Sequence, residues 1–576
     1  MTTIVTRQVS EQDLQRLSAI AHPVLRRVFA ARHVRSEQDL DTALEGLHRP
    51  DGLLGIDAAV SLLVTALEQR ERILVVGDFD ADGATSSALM VSALRAFGAA
   101  AVDYLVPNRF EYGYGLTPEI VAVAAQRSPQ LIVTVDNGIS SHEGVAAARK
   151  LGIPVLVTDH HLPGNTLPDA AAIVNPNQPG DSFPSKALAG VGVAFYLMMA
   201  LRSRLDAAGW FEHQGLPRPN LAAFLDLVAL GTVADLVPLD RNNRILVQQG
   251  LQRIRAGQCR PGIRALLEVA GRNISRVVAS DFGFAAGPRL NAAGRLDDMS
   301  RGIECLLCDD PKQASELAQR LDELNRERRE IEADMKQQAL QAVEALHLRE
   351  DSLPHGLCLY DESWHQGVIG ILASRIKERY HRPVIAFANA GDGQLKGSAR
   401  SVPGLHIRDT LDAIAAAHPE LLRKFGGHAM AAGLSLAEAD LPAFSDAFET
   451  ELQRRLDEES LHGVLESDGQ LGEADFALEF SELLRNAGPW GQGFPEPLFD
   501  GLFTVLGQRV VGERHLKLSL QPVDTRRRLD AIAFNQAGQA PATGERLRAA
   551  YRLDSNEYRG LLGVQLVVEH MEALHD

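Results

Sequence analysis

From Arg72 onward the chain alternates short β-branched runs with alanine- and leucine-rich stretches. Apolar runs at 73–76, 101–106, 131–135 and 153–157 are separated by helical patterns at 84–97, 117–127 and 142–151. This alternation predicts βαβ units and a parallel sheet. Helical stretches at 189–208 and 219–230 extend the same unit. A segment almost free of breakers follows from Gln313 to Leu348, where Leu317, Leu321, Leu324, Ile331, Met335, Ala339, Ala342 and Leu346 recur at spacings of three or four, or sums of these. It predicts one long helix. The stripe is short and holds Arg328 at a seam position, which favours a connector between two halves over half of a dimeric coiled coil. The α/β pattern returns with a strand at 356–360, a helix at 369–380, a strand at 383–387 and a glycine-rich stretch to Gly404. Beyond 465, β-like runs at 502–511, 514–520, 528–534, 546–553 and 560–569 accompany one helix near 476–487. Five short strands with an embedded helix suggest a small barrel of the OB type.

At 576 residues the chain is too long for one core. The expected fold class is α/β: an N-terminal docking segment (1–45), a parallel-sheet domain (46–310), the connector helix (311–348), a smaller α/β domain (349–455) and an OB-like barrel (456–576). The first segment mixes polar and apolar residues at helical spacing, and its Arg26, Arg27, Arg32 and Arg35 read as a solvated face. Hydrophobic content of 45% and charged content of 23% describe an ordinary globular protein. A net charge of −17 argues against coating duplex DNA over the whole surface, while leaving room for a local basic groove. Four cysteines make no disulfide framework. Cys305 and Cys308 have C-x-x-C spacing on a leucine-rich segment, but Cys259 and Cys358 are solitary and supply no second pair, so Cys305 and Cys308 read as buried small hydrophobes. Residues 1–15 hold no apolar signal core, and the longest apolar run, 191–201, is too short to span a bilayer. A cytoplasmic protein with no membrane partner is expected.

Chemistry concentrates at the ends of the apolar runs. Asp78, Asp80 and Asp82 follow the first, Asp136 follows 131–135, and Asp159-His160-His161 follows 153–157. In open parallel sheets, ligands sit beyond the carboxyl ends of the strands. A lone aspartate there is usually a helix N-cap, and Asp136 or Asp235 alone would be read so. Taken together with Asp235 of Gly231-Thr232-Val233-Ala234-Asp235, these groups supply enough oxygen and nitrogen ligands for two hard cations sharing a carboxylate. Mixed Asp/His ligation suits Mn²⁺ or Mg²⁺. Such a pair serves phosphodiester or phosphoanhydride hydrolysis.

The runs Gly77-Asp78-Phe79-Asp80-Ala81-Asp82-Gly83, Val135-Asp136-Asn137-Gly138, Asp159-His160-His161 and Val233-Ala234-Asp235 resemble the four motifs of the DHH phosphoesterase superfamily. Gly426-Gly427-His428-Ala429-Met430-Ala431-Ala432-Gly433 resembles the signature of its associated second domain. Together with the stretches 107–115 and 287–295, the motifs resemble most the members that degrade single-stranded DNA in the 5′→3′ direction. The resemblance implies that Asp80 binds one cation, Asp82 the other, and Asp136 bridges them. It implies further that His160 and Asp235 complete the second site, that His161 faces the scissile phosphate, and that Asp159 orients the histidines. Superfamily members often carry a histidine where this chain has Val76. Either Asp78 takes its place, or the first site is weaker and fills only with substrate present.

Recognition of a 5′ end calls for fixed guanidiniums and glycine-rich backbone near a terminal phosphate. The candidates are Arg109, Arg289, Asn291 and Arg295 in the first domain, with Ser398, Arg400, Gly427 and His428 in the second. Arg295 has a salt bridge to Asp297 or Asp298 as its alternative. Tyr114 is a candidate for base stacking, against a buried tyrosine. A cleft between the α/β domains is expected to admit one strand and reject a duplex, with Arg514, Lys517, Arg526, Arg527 and Arg528 giving the barrel positive charge for the incoming DNA. The resemblance also implies roles in recombination and mismatch repair, with a single-strand-binding protein and a helicase as partners; a monomer is expected. The competing readings are a phosphodiesterase for short oligonucleotides or cyclic dinucleotides, a pyrophosphatase, and a non-catalytic DNA-binding scaffold. The barrel and long helix favour a polymer substrate, and the full set of acids favours catalysis.

Overall fold

A computed structural model describes residues 2–107, 115–345, 353–422, 424–457, 461–558 and 561–574. They divide into two compact units, one made of 6–323 with 466–576, the other of 324–465 with residues 2–5.

The first unit is built on a five-stranded sheet ordered Ala101–Leu105, Arg72–Gly77, Leu131–Val135, Val155–Thr158, Ala172–Val174. Every neighbouring pair is parallel. The strand at Val155 begins after Pro154, which has no N–H to donate to a ladder. The last strand is three residues long, too short to show in the hydrophobic pattern. The helices Ala81–Ala96 and Gly190–Ala207 are buried along most of their length. One expectation is corrected here. The helix Leu225–Ala234 runs through Gly231-Thr232-Val233, so Asp235 stands at a helix C-terminus and not at a strand end or an N-cap.

The C-terminal strands close into a barrel ordered Phe499–Val511, His515–Pro522, Leu529–Ala533, Leu561–Ala573, Arg546–Tyr558. Its helix, Leu478–Asn486, precedes the strands and is not embedded among them. The N-terminal segment packs in this unit through helix Pro23–Ala30, which buries Val24, Leu25, Val28 and Phe29. Arg32 is not on a solvated face. It is buried and grips Asp468 with bonds of 2.8 and 2.9 Å while its Nε donates to Pro495 O at 2.7 Å. A guanidinium this deep survives only because its donors are satisfied.

The second unit holds a sheet ordered Lys424–Gly427, Ala431–Ala437, Gln394–Arg400, Val384–Gly391, Leu357–Tyr360. Only the last pair is parallel. The glycine-rich stretch before Gly404 is therefore a strand. The long helix spans Pro311–Ala345, 35 residues, or about 52 Å at 1.5 Å per residue. Its buried stripe starts with Ala314, Ala318 and Leu321 rather than Leu317. Farther along, Met335 and Ala339 pack with Trp364, Leu372 and Ile376 in the second unit's core. Leu346 lies outside the described residues. Among the described residues no single helix is long and apolar enough to cross a membrane.

Candidate metal centre and phosphate site

The carboxyl ends of the central strands bring the acids together. Asp80 caps helix Ala81–Ala96, accepting from Asp82 N–H and Gly83 N–H at 3.0 Å each. Asp82, 1% exposed, accepts from the backbone N–H groups of Gly190 (2.6 Å) and Val191 (2.9 Å) at the start of another helix. Gly190 carries no side chain for a physical reason: a Cβ there would lie 2.6 Å from Asp136 Cβ. Asp136 itself sits at φ +61, and Leu236, the residue after Asp235, at φ +60. Left-handed backbone at non-glycine residues is strained, and such strain gathers where function fixes a side chain.

Oxygen and nitrogen atoms fall into three overlapping groups, each with its ligand atoms within 4.8 Å of one another: Asp78, Asp80 and Asp136; Asp82, His160 and Asp235; Asp136, His160 and His161. Asp136 belongs to two of them. His160 Nε2 lies 3.1 Å from Asp136 Oδ1, 3.5 Å from Asp235 Oδ2 and 4.0 Å from Asp82 Oδ2, yet it is buried and makes no hydrogen bond. Burial, reinforced by the charge of His161, pushes His160 down to about 4, so it is neutral with a free ring nitrogen. A bare nitrogen facing three carboxylates fits a divalent cation. Val76 is fully buried in the sheet core and offers nothing, whereas Asp78, 4% exposed, joins the first group.

The electrostatics point the same way. Burial and then the charge of Asp80 raise Asp82 to about 7. Burial and then Asp82 raise Asp136 and Asp235 well above the ordinary carboxylate range. Asp235 also stands at the negative end of a helix dipole, which disfavours a carboxylate. Asp159 behaves oppositely: burial would raise it, but the hydrogen bond and charge of His161 prevail and lower it. Its Oδ1 accepts from His161 Nδ1 at 2.7 Å, and its Oδ2 from Ile139 N–H at 2.9 Å. For His161, burial is outweighed by the same Asp159 bond and charge, which lift it to about 9.

The substrate candidates are more scattered. Arg109 and Tyr114 lie outside the described residues. Arg289 is buried and paired with Asp322 at 2.7 Å. Asn291 Oδ1 accepts from Ala81 N–H at 2.7 Å, steadying the helix start that bears Asp80 and Asp82. Arg295 ends the helix Gly287–Leu296; of its two candidate acids, Asp297 is held by Arg301 at 2.8 Å, and Asp298 accepts from Ser300 N–H. In the second unit the strand carrying Ser398 and Arg400 pairs with Gly433 and Ala431. Gly427 lies one strand farther, at φ +146, where a Cβ would meet Ala431 O at 2.4 Å, and His428 N–H donates to Ala431 O at 2.8 Å. Arg400 is largely buried, and its hydrogen bonds go to Ser398 Oγ (3.1 Å) and Ala399 O (2.8 Å). Among the described residues no carboxylate pairs with it, and burial pushes its guanidinium below the usual range.

A parallel sheet with carboxylates and histidines clustered at its carboxyl edge, an associated mixed sheet and a barrel define a metal-dependent phosphoesterase of the DHH type. Family models agree: "DHH family, N-terminal domain" matches residues 72–232, "DHHA1 domain" 354–454 and "RecJ OB domain" 467–570. The single-stranded-DNA-specific exonuclease RecJ of Dickeya dadantii (strain 3937) is 60% identical over 95% of this chain and 96% of its own length. The RecJ of Escherichia coli (strain K12) is 58% identical over 96% of each. The crystal structure of RecJ in complex with Mn²⁺ from Thermus thermophilus is 32% identical, with a TM-score of 0.80, and covers 100% of this chain and 79% of that one. A Mg²⁺ complex from the same organism matches with a TM-score of 0.75. The chain belongs to the RecJ family.

Proposed function

We infer that this protein is an exonuclease that hydrolyses the phosphodiester bonds of single-stranded DNA from the 5′ end, releasing 5′-mononucleotides with two divalent cations, Mn²⁺ or Mg²⁺. The observation that carries this reading is the overlap of the ligand groups at Asp136. Asp78, Asp80 and Asp136 would hold one cation; Asp82, Asp136, His160 and Asp235 the other. When bound, the pair supplies activation of water at neutral pH and neutralisation of charge on the attacked phosphate. The chain's own residues do the rest. Asp159 keeps His161 protonated and aimed at the scissile phosphate, where its N–H stabilises the charge that builds on phosphoryl oxygen. Ser398 and Arg400, flanked by Gly427 and His428, receive the terminal phosphate. Arg109 and Tyr114 are assigned to the same strand end by their place in the 107–115 motif. Arg289 and Asn291 act by positioning, since Asp322 and the Ala81 N–H engage them.

The barrel supports a polymer substrate over a dinucleotide. The reading extends to DNA recombination and repair in the cytoplasm, by a monomer working with a single-strand-binding protein and a helicase. The test is release of mononucleotides from 5′-labelled strands with Mn²⁺ or Mg²⁺. Equal rates on blunt duplex, or equal rates on dinucleotides and long strands, would overturn it.

A further inference from the structure

The anion pocket around Arg400 has a wall that the motifs do not mention. Helix Ile369–Tyr380 begins against it, and an added Cβ on Gly370, in its first turn, would lie 2.8 Å from Arg400 Nη2 and 2.9 Å from Ser398 Oγ. Both contacts are closer than side chains tolerate. The atoms met are the free ends of the two side chains assigned to the terminal phosphate, not backbone. Gly370 is also in ordinary helical backbone, where glycine has no conformational advantage and alanine would be the better helix former. Local folding therefore gives no reason for a glycine here. The pocket does.

We propose that Gly370 sets the specificity for a 5′-phosphate by leaving room for Arg400 and Ser398 to keep the positions from which they meet it. This rests on the assignment of Ser398 and Arg400 to the terminal phosphate. Among the described residues the guanidinium of Arg400 has a hydroxyl and one carbonyl as its hydrogen-bond partners. A terminal phosphate would accept from Arg400 and Ser398. A methyl group at 370 would push the guanidinium aside while leaving the charge in place. Gly370 is thus a positioning residue, acting through Arg400.

The experiment compares kcat/KM of the full-length enzyme on 5′-phosphorylated and 5′-hydroxyl single strands for wild type, G370A, R400A and the double variant, alongside their melting temperatures. For G370A the phosphate preference is expected to fall about 10-fold or more through KM rather than kcat, without a lower melting temperature. Because the glycine acts through the arginine, G370A/R400A should lose no more preference than R400A alone. A preserved preference in G370A beside a lost one in R400A would overturn the role of Gly370 and leave the phosphate pocket standing. Multiplicative losses in the double variant, or a G370A protein that melts well below R400A, would also overturn it. A preserved preference in R400A would overturn both the pocket and the inference.

Discussion

The acidic crevice of one unit and the Arg400 pocket of the other leave opposite charges unbalanced. In the crevice Asp78, Asp82 and Asp136 are buried beside one another, and burial with mutual repulsion drives the last two up the pH scale. In the pocket a guanidinium is left with a hydroxyl and a carbonyl for company. An uncompensated buried charge costs several kcal/mol, so neither arrangement serves stability. On the function proposed above, each would be completed by a ligand of the opposite sign, divalent cations in one and a phosphate in the other. They differ in what happens without the ligand. Carboxylates can take up protons; arginine cannot shed its own at any ordinary pH. The crevice should therefore respond to pH, and the pocket should not.

The strongest test of that contrast is Asp136→Ala. Removing the carboxylate common to two ligand groups should lower mononucleotide release by on the order of 10³-fold or more. It should also leave the metal-free protein at least as stable as wild type, because a repelled buried charge is gone. Undiminished release would break the comparison on the metal side, and a large drop in melting temperature in EDTA would mean the carboxylate stabilises the fold instead.

The second test is the pH dependence of the melting temperature without metal. Asp82, raised to about 7, holds its proton in the folded state while the unfolded carboxylate has lost it, so its contribution falls between about pH 4 and 7. His161, raised to about 9, contributes stability that is full below about pH 6.5 and lost as the pH rises through 9. His160, lowered to about 4, acts the other way between about pH 4 and 6.5, since there the unfolded chain binds the extra proton. The net decline should be clearest from about pH 7 to 9. Saturating Mn²⁺ should flatten it, as cations replace protons. A metal-free melting temperature that rises over this window would refute the picture of a proton-compensated crevice.

Asn291→Ala sharpens the boundary between holding metal and holding DNA. Its Oδ1 accepts the Ala81 N–H at the start of the helix whose first turn bears Asp82 and whose cap is Asp80. Loss of that bond should weaken Mn²⁺ activation by about 10- to 100-fold. If instead the KM for DNA rises at unchanged Mn²⁺ dependence, Asn291 contacts the strand directly.

How much of this was legible depended on sequence distance. Asp78, Asp80, Asp82, Asp136 and the Asp159-His160-His161 triplet each follow an apolar strand, so local periodicity placed them at one edge of a sheet. Asp235 could not be placed that way. Glycine and β-branched residues before it suggest a turn, yet Gly231 is helical and packs so close to Thr85 that a Cβ there would lie 2.2 Å from Thr85 Oγ1. The engagements of Arg289 with Asp322 and of Arg32 with Asp468 join residues 33 and 436 positions apart. Nothing local announces them, and the second takes Arg32 off the solvated face that its neighbours suggest. The three-residue strand Ala172–Val174 and the mainly antiparallel second sheet were hidden for a simpler reason: one is too short, and the other is rich in small residues that carry little periodic signal.

The barrel offers the mildest test and a useful control, because its charge is exposed rather than buried. Of its five candidate cations, Arg527 is tied to the carbonyls of Glu473 (3.3 Å) and Phe476 (2.6 Å), and Lys517 stands 3.5 Å from Asp530. Arg514, Arg526 and Arg528 are exposed and have no carboxylate partner among the described residues. If these three contact DNA phosphates, replacing them together by alanine should weaken binding of long single strands several-fold at moderate salt. The slope of log affinity against log salt should shrink by about 0.7 per contact, or roughly 2 in all. Preference for a 5′-phosphate should persist, since it belongs to the buried pocket. Arg527→Ala should instead lower the melting temperature slightly with little change in the salt slope. A triple variant that binds with the wild-type slope would remove these arginines from the DNA path and leave recognition to the two buried sites alone.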